Sequence, residues 1–417
     1  MKLPARFALL ALAALALSAC GGRPRGTLLA THVRAPGANV VEMLVATTRS
    51  PEQAQPGEMF SGERGRGLAF ADIAVSIPPD GARHTGEVQW PSVPPGDPMR
   101  EFSTVSADRL DKDAALAKFD ARIRQTPKRQ VLVFVHGYNT RFEEAVYRFA
   151  QIVHDSQASA LPVLFTWPSR GKLLAYGYDH ESASYSRDAL ERVLHALAAD
   201  RNVGEISVLA HSMGNWVTLE ALRQMAIRER GLPPKIRNVM LAAPDVDFDV
   251  FRRQIQEIGI KPSLFTLFVS RDDEALAVSR RVWGNEPRLG AVDSNREPYR
   301  EILKEDRILV VDLTDVSSPD HIRHSKFAEA PEVVRAIGVR LAGGQALSDS
   351  QAGVGDRIGQ IAVGAASTVG AAAGVAVAAP FAIVDPRTRE NLGEQMESVG
   401  SQVGETLNSG AQAARAP

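Results

Sequence analysis

Cysteine is nearly absent: Cys20 is the one thiol in 417 residues. A single thiol excludes any intrachain disulfide, so folding has to rest on a buried core. A chain of this length with 44% apolar residues can build one large core or two modest ones. An excess of either charge is also lacking. The chain carries 48 Lys and Arg against 49 Asp and Glu, without a long basic run. That balance argues against nucleic acid as a partner. Long apolar runs are scarce too. Phe7–Leu17 (FALLALAALAL) is too short to span a bilayer comfortably, and only Ile361–Val384 reaches spanning length. No tandem repeat is present.

What is there begins with an export signal. Lys2 and Arg6 precede the apolar Phe7–Leu17, and the segment ends in Leu17-Ser18-Ala19-Cys20. This ending resembles a bacterial lipobox, which implies lipidation of Cys20 after removal of residues 1–19. By resemblance to Gram-negative lipoproteins, in which an aspartate at the next position is associated with inner-membrane retention, Gly21 implies the outer membrane as the expected address. Residues 20–37, rich in Gly, Pro and Arg, read as a tether, and residues 38–342 as one catalytic domain. Residues 343–417 form an Ala/Gly-rich tail. Its uncharged Ile361–Val384 stretch is interrupted by Pro380, and Gly370 and Gly374 form a small-xxx-small pair. A packing helix, self-association through the tail and membrane association are all open for it.

Within 38–342 the apolar pattern predicts an α/β fold. Val40–Thr47 and Ala71–Ile77 read as two early strands at a mixed or antiparallel edge, separated by a loop over 49–67. The Pro-rich 78–100 stretch reads as an extended surface excursion. Val131–Val135, Val163–Trp167, Ile206–Ala210, Val239–Ala242, Leu264–Val269 and Ile308–Leu313 are apolar runs suited to strands covered on both faces. Helical stretches at 111–125, 141–156 and 182–199 fall between them. Alternating strands and helices imply a doubly wound, mostly parallel sheet.

The chemistry is concentrated where those strands end. Ile206–Trp216 (ISVLAHSMGNW) nearly matches the G-x-S-x-G turn that exposes a nucleophilic serine between strand and helix, with Ala210 in the first Gly position. Ser212 is the candidate nucleophile. Val131–Asn139 (VLVFVHGYN) ends a strand in His-Gly, as an oxyanion loop would. The backbone N–H groups of Met213 and Tyr138 are the candidate oxyanion donors. In this fold the acid and then the histidine follow the serine. Of nine histidines only His321 and His324 lie beyond Ser212, both after the last strand. Asp272 and Asp273 follow Leu264–Val269 and are both in reach as the acid. Trp167-Pro168-Ser169 and Tyr176, Tyr178 and Asp179 sit on the same edge, as pocket walls or as a packed loop.

These stretches carry a resemblance. VFVHGYNTRFEEAVYRFAQ, LFTWPSRGKLLAYGYDHESASYSRDAL, LAHSMGNWVTLEAL, VSRDDEAL and HSKF, over residues 125–340, resemble a bacterial α/β-hydrolase family of uncharacterised function with many predicted esterases. The resemblance implies an α/β-hydrolase fold, Asp273 as the acid (Asp-x-Ala-Leu) and His324 as the base (His-Ser-x-Phe). Lys326 stands where an aromatic is common. The expected protein is a lipid-anchored serine esterase of the cell envelope, acting on a small-molecule or lipid ester without metal or cofactor. An acyltransferase or amidase would use the same triad. A non-catalytic envelope scaffold is the reading from another class.

Overall fold

The computed structural model describes residues 24–52, 54–259 and 264–343. Cys20, the signal segment and the tail from residue 344 onward lie outside the described residues. Nine strands form one sheet: β1 (Asn39–Pro51), β2 (Phe60–Ile77), β3 (Ser103–Leu110), β4 (Gln130–Val135), β5 (Leu161–Thr166), β6 (Glu205–His211), β7 (Ile236–Ala242), β8 (Phe265–Val269) and β9 (Leu309–Asp312). The helices are α1 (Lys112–Ile123), α2 (Phe142–Ser156), α3 (Tyr176–Ala199), α4 (Gly214–Glu229), α5 (Phe248–Ile258), α6 (Glu274–Val282), α7 (Tyr299–Glu305), α8 (Lys326–Glu329) and α9 (Pro331–Gly343).

The strand order is β3-β2-β1-β5-β4-β6-β7-β8-β9. From β1 to β9 every neighbouring pair is parallel, and β2 and β3 add an antiparallel edge. Side chains alternate between the two faces, so the sheet divides two cores. Val131, Val133 and Val135 face one core with α1, α3, α4, α5 and α7. Leu132 and Phe134 face the other with α2, α8 and α9. This is the doubly wound α/β arrangement that the apolar runs predict. Among the described residues no helix is long and apolar enough to cross a membrane.

The early part of the domain departs from expectation. The 49–67 loop shrinks, because Phe60–Gly67 is the first half of β2 and pairs with the end of β1 through two irregularities. Its glycines and half-exposed charged residues hide the period-2 signal. A strand not read from the sequence, β3, follows the Pro-rich stretch. Its polar STVSADRL is tolerated because it pairs on one side only. The stretch from Pro24 to Ala35 lies against the fold, with Thr27 and Leu28 buried.

Because β1 and β4–β9 are parallel, their carboxyl ends share one edge. Tyr138, Ser212, Met213, Asp273 and His324 all stand in connections leaving that edge.

Candidate active site

The turn after β6 is strained and closely held. Ser212 has φ of 53°, in the left-handed region. A non-glycine residue there costs about 1–3 kcal/mol and persists only where its surroundings dictate it. Four contacts do so. The Ser212 N–H donates to Ala242 O at 3.0 Å, and the Asn215 N–H, the Asn215 side-chain amide and the Asp245 N–H all donate to Ser212 O. Asn215 thus locks the turn, a role its sequence position did not reveal. Gly214 is required by close approach: a Cβ there would lie 2.4 Å from His136 O. Ala210, the departure at the first motif position, is fully buried in the strand.

The β4–α2 connection lies directly against this turn. A Cβ on Gly137 would meet Ser212 Cβ at 2.8 Å and His211 Nδ1 at 2.9 Å. Among the described residues, no hydrogen bond engages the backbone N–H of Met213 or of Tyr138. Two buried polar groups shape this loop. Arg49, at the end of β1, donates to Thr140 O (2.8 Å), Ser169 O (2.8 Å), Ser61 O (3.1 Å) and His136 Nε2 (3.3 Å). Burial pulls its pKa to about 10 against the opposing charges of Glu143, Asp179 and Glu144. Asp179 receives Ser169 Oγ at 2.5 Å, the Arg170 N–H at 3.0 Å and the Asn139 N–H at 3.3 Å. His136 is held neutral, its pKa lowered to about 3 by burial and by the Arg49 charge. Its Nε2 accepts from the Trp167 N–H at 3.2 Å, which leaves Nδ1–H to donate to Gly137 O at 2.9 Å.

The connections after β8 and β9 bring an acid to a histidine. Asp273 caps α6, with Oδ1 accepting the Leu276 N–H at 2.9 Å. Its other oxygen, Oδ2, lies 2.7 Å from His324 Nδ1. Burial depresses the His324 pKa, but the charge and hydrogen bond of Asp273, with Asp245 and Asp320 behind, leave it above its ordinary value. Asp320 also fixes the backbone, taking the His324 N–H at 2.8 Å. His211 ties this loop to the serine turn. Its Nε2 is 3.2 Å from His324 O, so it donates there, and its ring centroid is 4.8 Å from that of His324. Burial, then the neighbouring His324 charge, keeps the His211 pKa well below normal. His321 is exposed and makes no such contacts among the described residues. No hydrogen bond joins Ser212 Oγ to His324 among the described residues; in an unliganded site such bonds are often long.

Lys326 gains a clear role. Its buried ammonium donates to both Asp272 oxygens (2.9 and 3.0 Å), Leu313 O (2.9 Å) and Thr314 O (2.9 Å). An aromatic residue could not make these bonds. Lys326 pins the connection that carries Asp273 to the one that carries His324. Asp272 is thereby committed to Lys326, while Asp273 is the partner of the histidine. Asp245, outside the acid position, binds Arg288, Ser279 and Tyr176.

Most of the aromatic stretch after β5 packs instead of lining a pocket. Trp167 is fully buried and stacks on His136 at 4.9 Å. Tyr178 lies under Arg170 at 3.6 Å. A cavity of about 520 Å³ opens beside this segment, walled by Arg49, Glu63, Arg141, Ser169, Lys172 and Leu174 among others, but not by Ser212 or His324.

Comparison with known proteins bears on the whole arrangement. An uncharacterized protein of Nostoc sp. (strain PCC 7120 / SAG 25.82 / UTEX 2576), alr1448, is 24% identical over 238 residues, which cover 42% of this chain and 61% of that protein. This chain therefore spans less than two thirds of that relative's length. A solved structure of a fungal esterase from Rhizomucor miehei aligns over 74% of this chain and 83% of its own, at 11% identity and a TM-score of 0.30. At that score the likeness bears on neither activity nor substrate. The model of one family matches residues 111–340, the span that holds Gly137, Ser212, Asp273 and His324. The chain belongs to that family, the alpha/beta hydrolases of unknown function (DUF900).

Proposed function

We propose that this protein is a serine esterase, held to the cell envelope by a lipid on Cys20, with Ser212, His324 and Asp273 as its catalytic triad. The observation that carries the reading is the 2.7 Å Asp273–His324 contact delivered beside a serine in a left-handed turn. Asp273 accepts from Nδ1–H of His324, which leaves Nε2 free to take the Ser212 proton. The serine oxygen attacks the ester carbonyl, and the resulting oxyanion is received by the unengaged N–H groups of Met213 and Tyr138. As the tetrahedral species collapses, the C–O bond to the alcohol breaks and His324 returns the proton to that oxygen. Water, deprotonated by the same histidine, then releases the acid and restores Ser212.

Substituting the two late histidines separately tests the assignment. His324→Ala should lower kcat on aryl esters by about 10²–10⁴-fold, the usual worth of a general base. His321→Ala should leave kcat unchanged. The opposite pattern would replace His324 with His321. Turnover of an aryl ester that accelerates with added alcohol, yielding the transesterified product, would reassign the protein as an acyltransferase.

A further inference from the structure

We infer that the carboxyl edge of the sheet is the face that meets the membrane. On this inference the protein docks on an anionic bilayer through Leu173–Leu174 and the outer face of α6, and takes acyl esters from that bilayer. The inference extends the lipid-anchored esterase reading and stands on three independent observations.

The first is where the chain enters the fold. Arg141 Nη2 donates to Pro24 O at 3.0 Å. Arg141 follows β4 and caps α2, so Pro24 is fastened at the same edge as Ser212. Cys20 is four residues earlier, and four residues reach at most about 14 Å. A lipid on Cys20 therefore holds this edge, and not the opposite one, close to the bilayer.

The second is an apolar rim on that edge. Single exposed apolar residues need no explanation, but contiguous ones do. Leu173 is 66% exposed and Leu174 wholly so, in the connection after β5. Val278 and Val282, 56% and 61% exposed, are one turn apart on α6, and Trp283 follows them. The inner face of this helix already packs through Leu276 and Ser279, so Val278 and Val282 form a second apolar face without a partner. The two segments are joined. Tyr138 OH donates to Leu173 O, the Tyr138 and Tyr176 rings meet at 5.0 Å, and Trp283 Nε1 donates to Tyr176 OH at 2.8 Å. Both segments adjoin the site without entering it, since Leu173 is bonded from Tyr138 of the oxyanion loop and Asp273 caps α6.

The third is charge. Lys172, Arg280 and Arg281 are exposed, interleaved with these apolar residues, and without an ion pair among the described residues. The acids bordering the rim have other partners: Asp245 binds Arg288, Ser279 and Tyr176, Glu63 pairs with Arg170, and Glu274 faces Arg323 at the far end of α6. Apolar side chains set among lysine and arginine fit an anionic lipid surface. They fit a second copy of this chain less well, since the same cations would then face each other.

Quenching of tryptophan by brominated lipid tests this on the lipidated protein in phosphatidylcholine vesicles with and without phosphatidylglycerol. Of the four tryptophans only Trp283 lies on the rim, so the difference between wild type and Trp283→Phe isolates its signal. We expect quenching that is stronger with phosphatidylglycerol and lost in Trp283→Phe. Leu174→Asp with Val282→Asp should abolish it and slow hydrolysis of a vesicle-borne acyl ester about tenfold per substitution. Hydrolysis of a short soluble ester should be unchanged. Equal quenching in wild type and Trp283→Phe would overturn the inference. So would a rim double variant that only converts a dimer to a monomer, by light scattering, with quenching intact. Quenching is read without turnover, so a protein inert toward esters that still shows it would keep the docking face and lose the esterase reading together with the uptake of acyl esters.

Discussion

Replacing Gly137 by alanine puts the geometry of the site under its sharpest test. The backbone at Gly137 is not in the positive-φ region, so alanine is acceptable there on conformation alone. The penalty is contact: the new methyl would lie 2.8 Å from Ser212 Cβ and 2.9 Å from His211 Nδ1, where ordinary contact begins at 3.4 Å. Neither neighbour can yield freely. Ser212 is fixed by the bonds to Ala242 O and from Asn215, and His211 packs against His324 and Phe327. The oxyanion loop must therefore retreat by roughly half an ångström or more, carrying the Tyr138 N–H with it. Losing one oxyanion donor typically lowers kcat about 10²–10³-fold. A retreat of this size should lie near the lower end, about 10²-fold, with KM for a small ester little changed because the donor acts on charge that develops later. Overpacking should also cost about 1–3 kcal/mol of stability. Stopped-flow hydrolysis of a p-nitrophenyl ester gives the acylation rate directly, and a thermal melt confirms that the variant is folded. A folded Gly137→Ala protein acylated at the wild-type rate would refute the placement of this loop against the nucleophile.

The remaining predictions concern the histidine and its supports. The proposed base, His324, could act only when neutral, and its pKa lies above the ordinary value of about 6.5. The acid limb of kcat/KM should accordingly fall above that value, and Asp273→Asn should move it down while lowering kcat about 10³–10⁴-fold. The same upward shift makes the charged pair stabilising below about pH 6.5, and that contribution is lost as pH rises through the folded-state pKa. Melting curves of wild type and Asp273→Asn should therefore differ most at acid pH and converge at alkaline pH. Lys326→Met should strand Asp272 and two carbonyls. Breaking a buried pair costs about 3–5 kcal/mol, and the 27% exposure of Asp272 reduces this to about 2–4 kcal/mol. The melt should shift down by several degrees, and kcat should fall as the Asp273 and His324 connections loosen.

Much of this arrangement was legible in the chain because it rests on local patterns. Val131–Val135 and Ile206–Ala210 are too apolar for anything but covered strands. The serine, acid and histidine each fall just past the end of a strand, which is where a parallel sheet collects its loops. The Asp272–Asp273 and His321–His324 alternatives were beyond local patterns, because each choice depends on a side chain from another connection. Lys326 selects Asp272, and the exposure of His321 leaves His324 as the residue that meets Asp273. Arg49 and Asp179 were equally hidden. Both are buried charges satisfied by groups far away in sequence, and neither has a spacing that betrays it. The β3 strand was missed for a simpler reason, since an edge strand with one partner can be as polar as STVSADRL.

The central claim is that Ser212 is the nucleophile, and its chemistry can be read directly. A fluorophosphonate probe reacts with a serine only when a base and an oxyanion site activate it. Peptide mass spectrometry after labelling should find the adduct on Ser212 in the wild type, at a rate that falls sharply in His324→Ala, and no adduct in folded Ser212→Ala. An adduct on a different residue, or equal labelling of Ser212→Ala, would contradict the account.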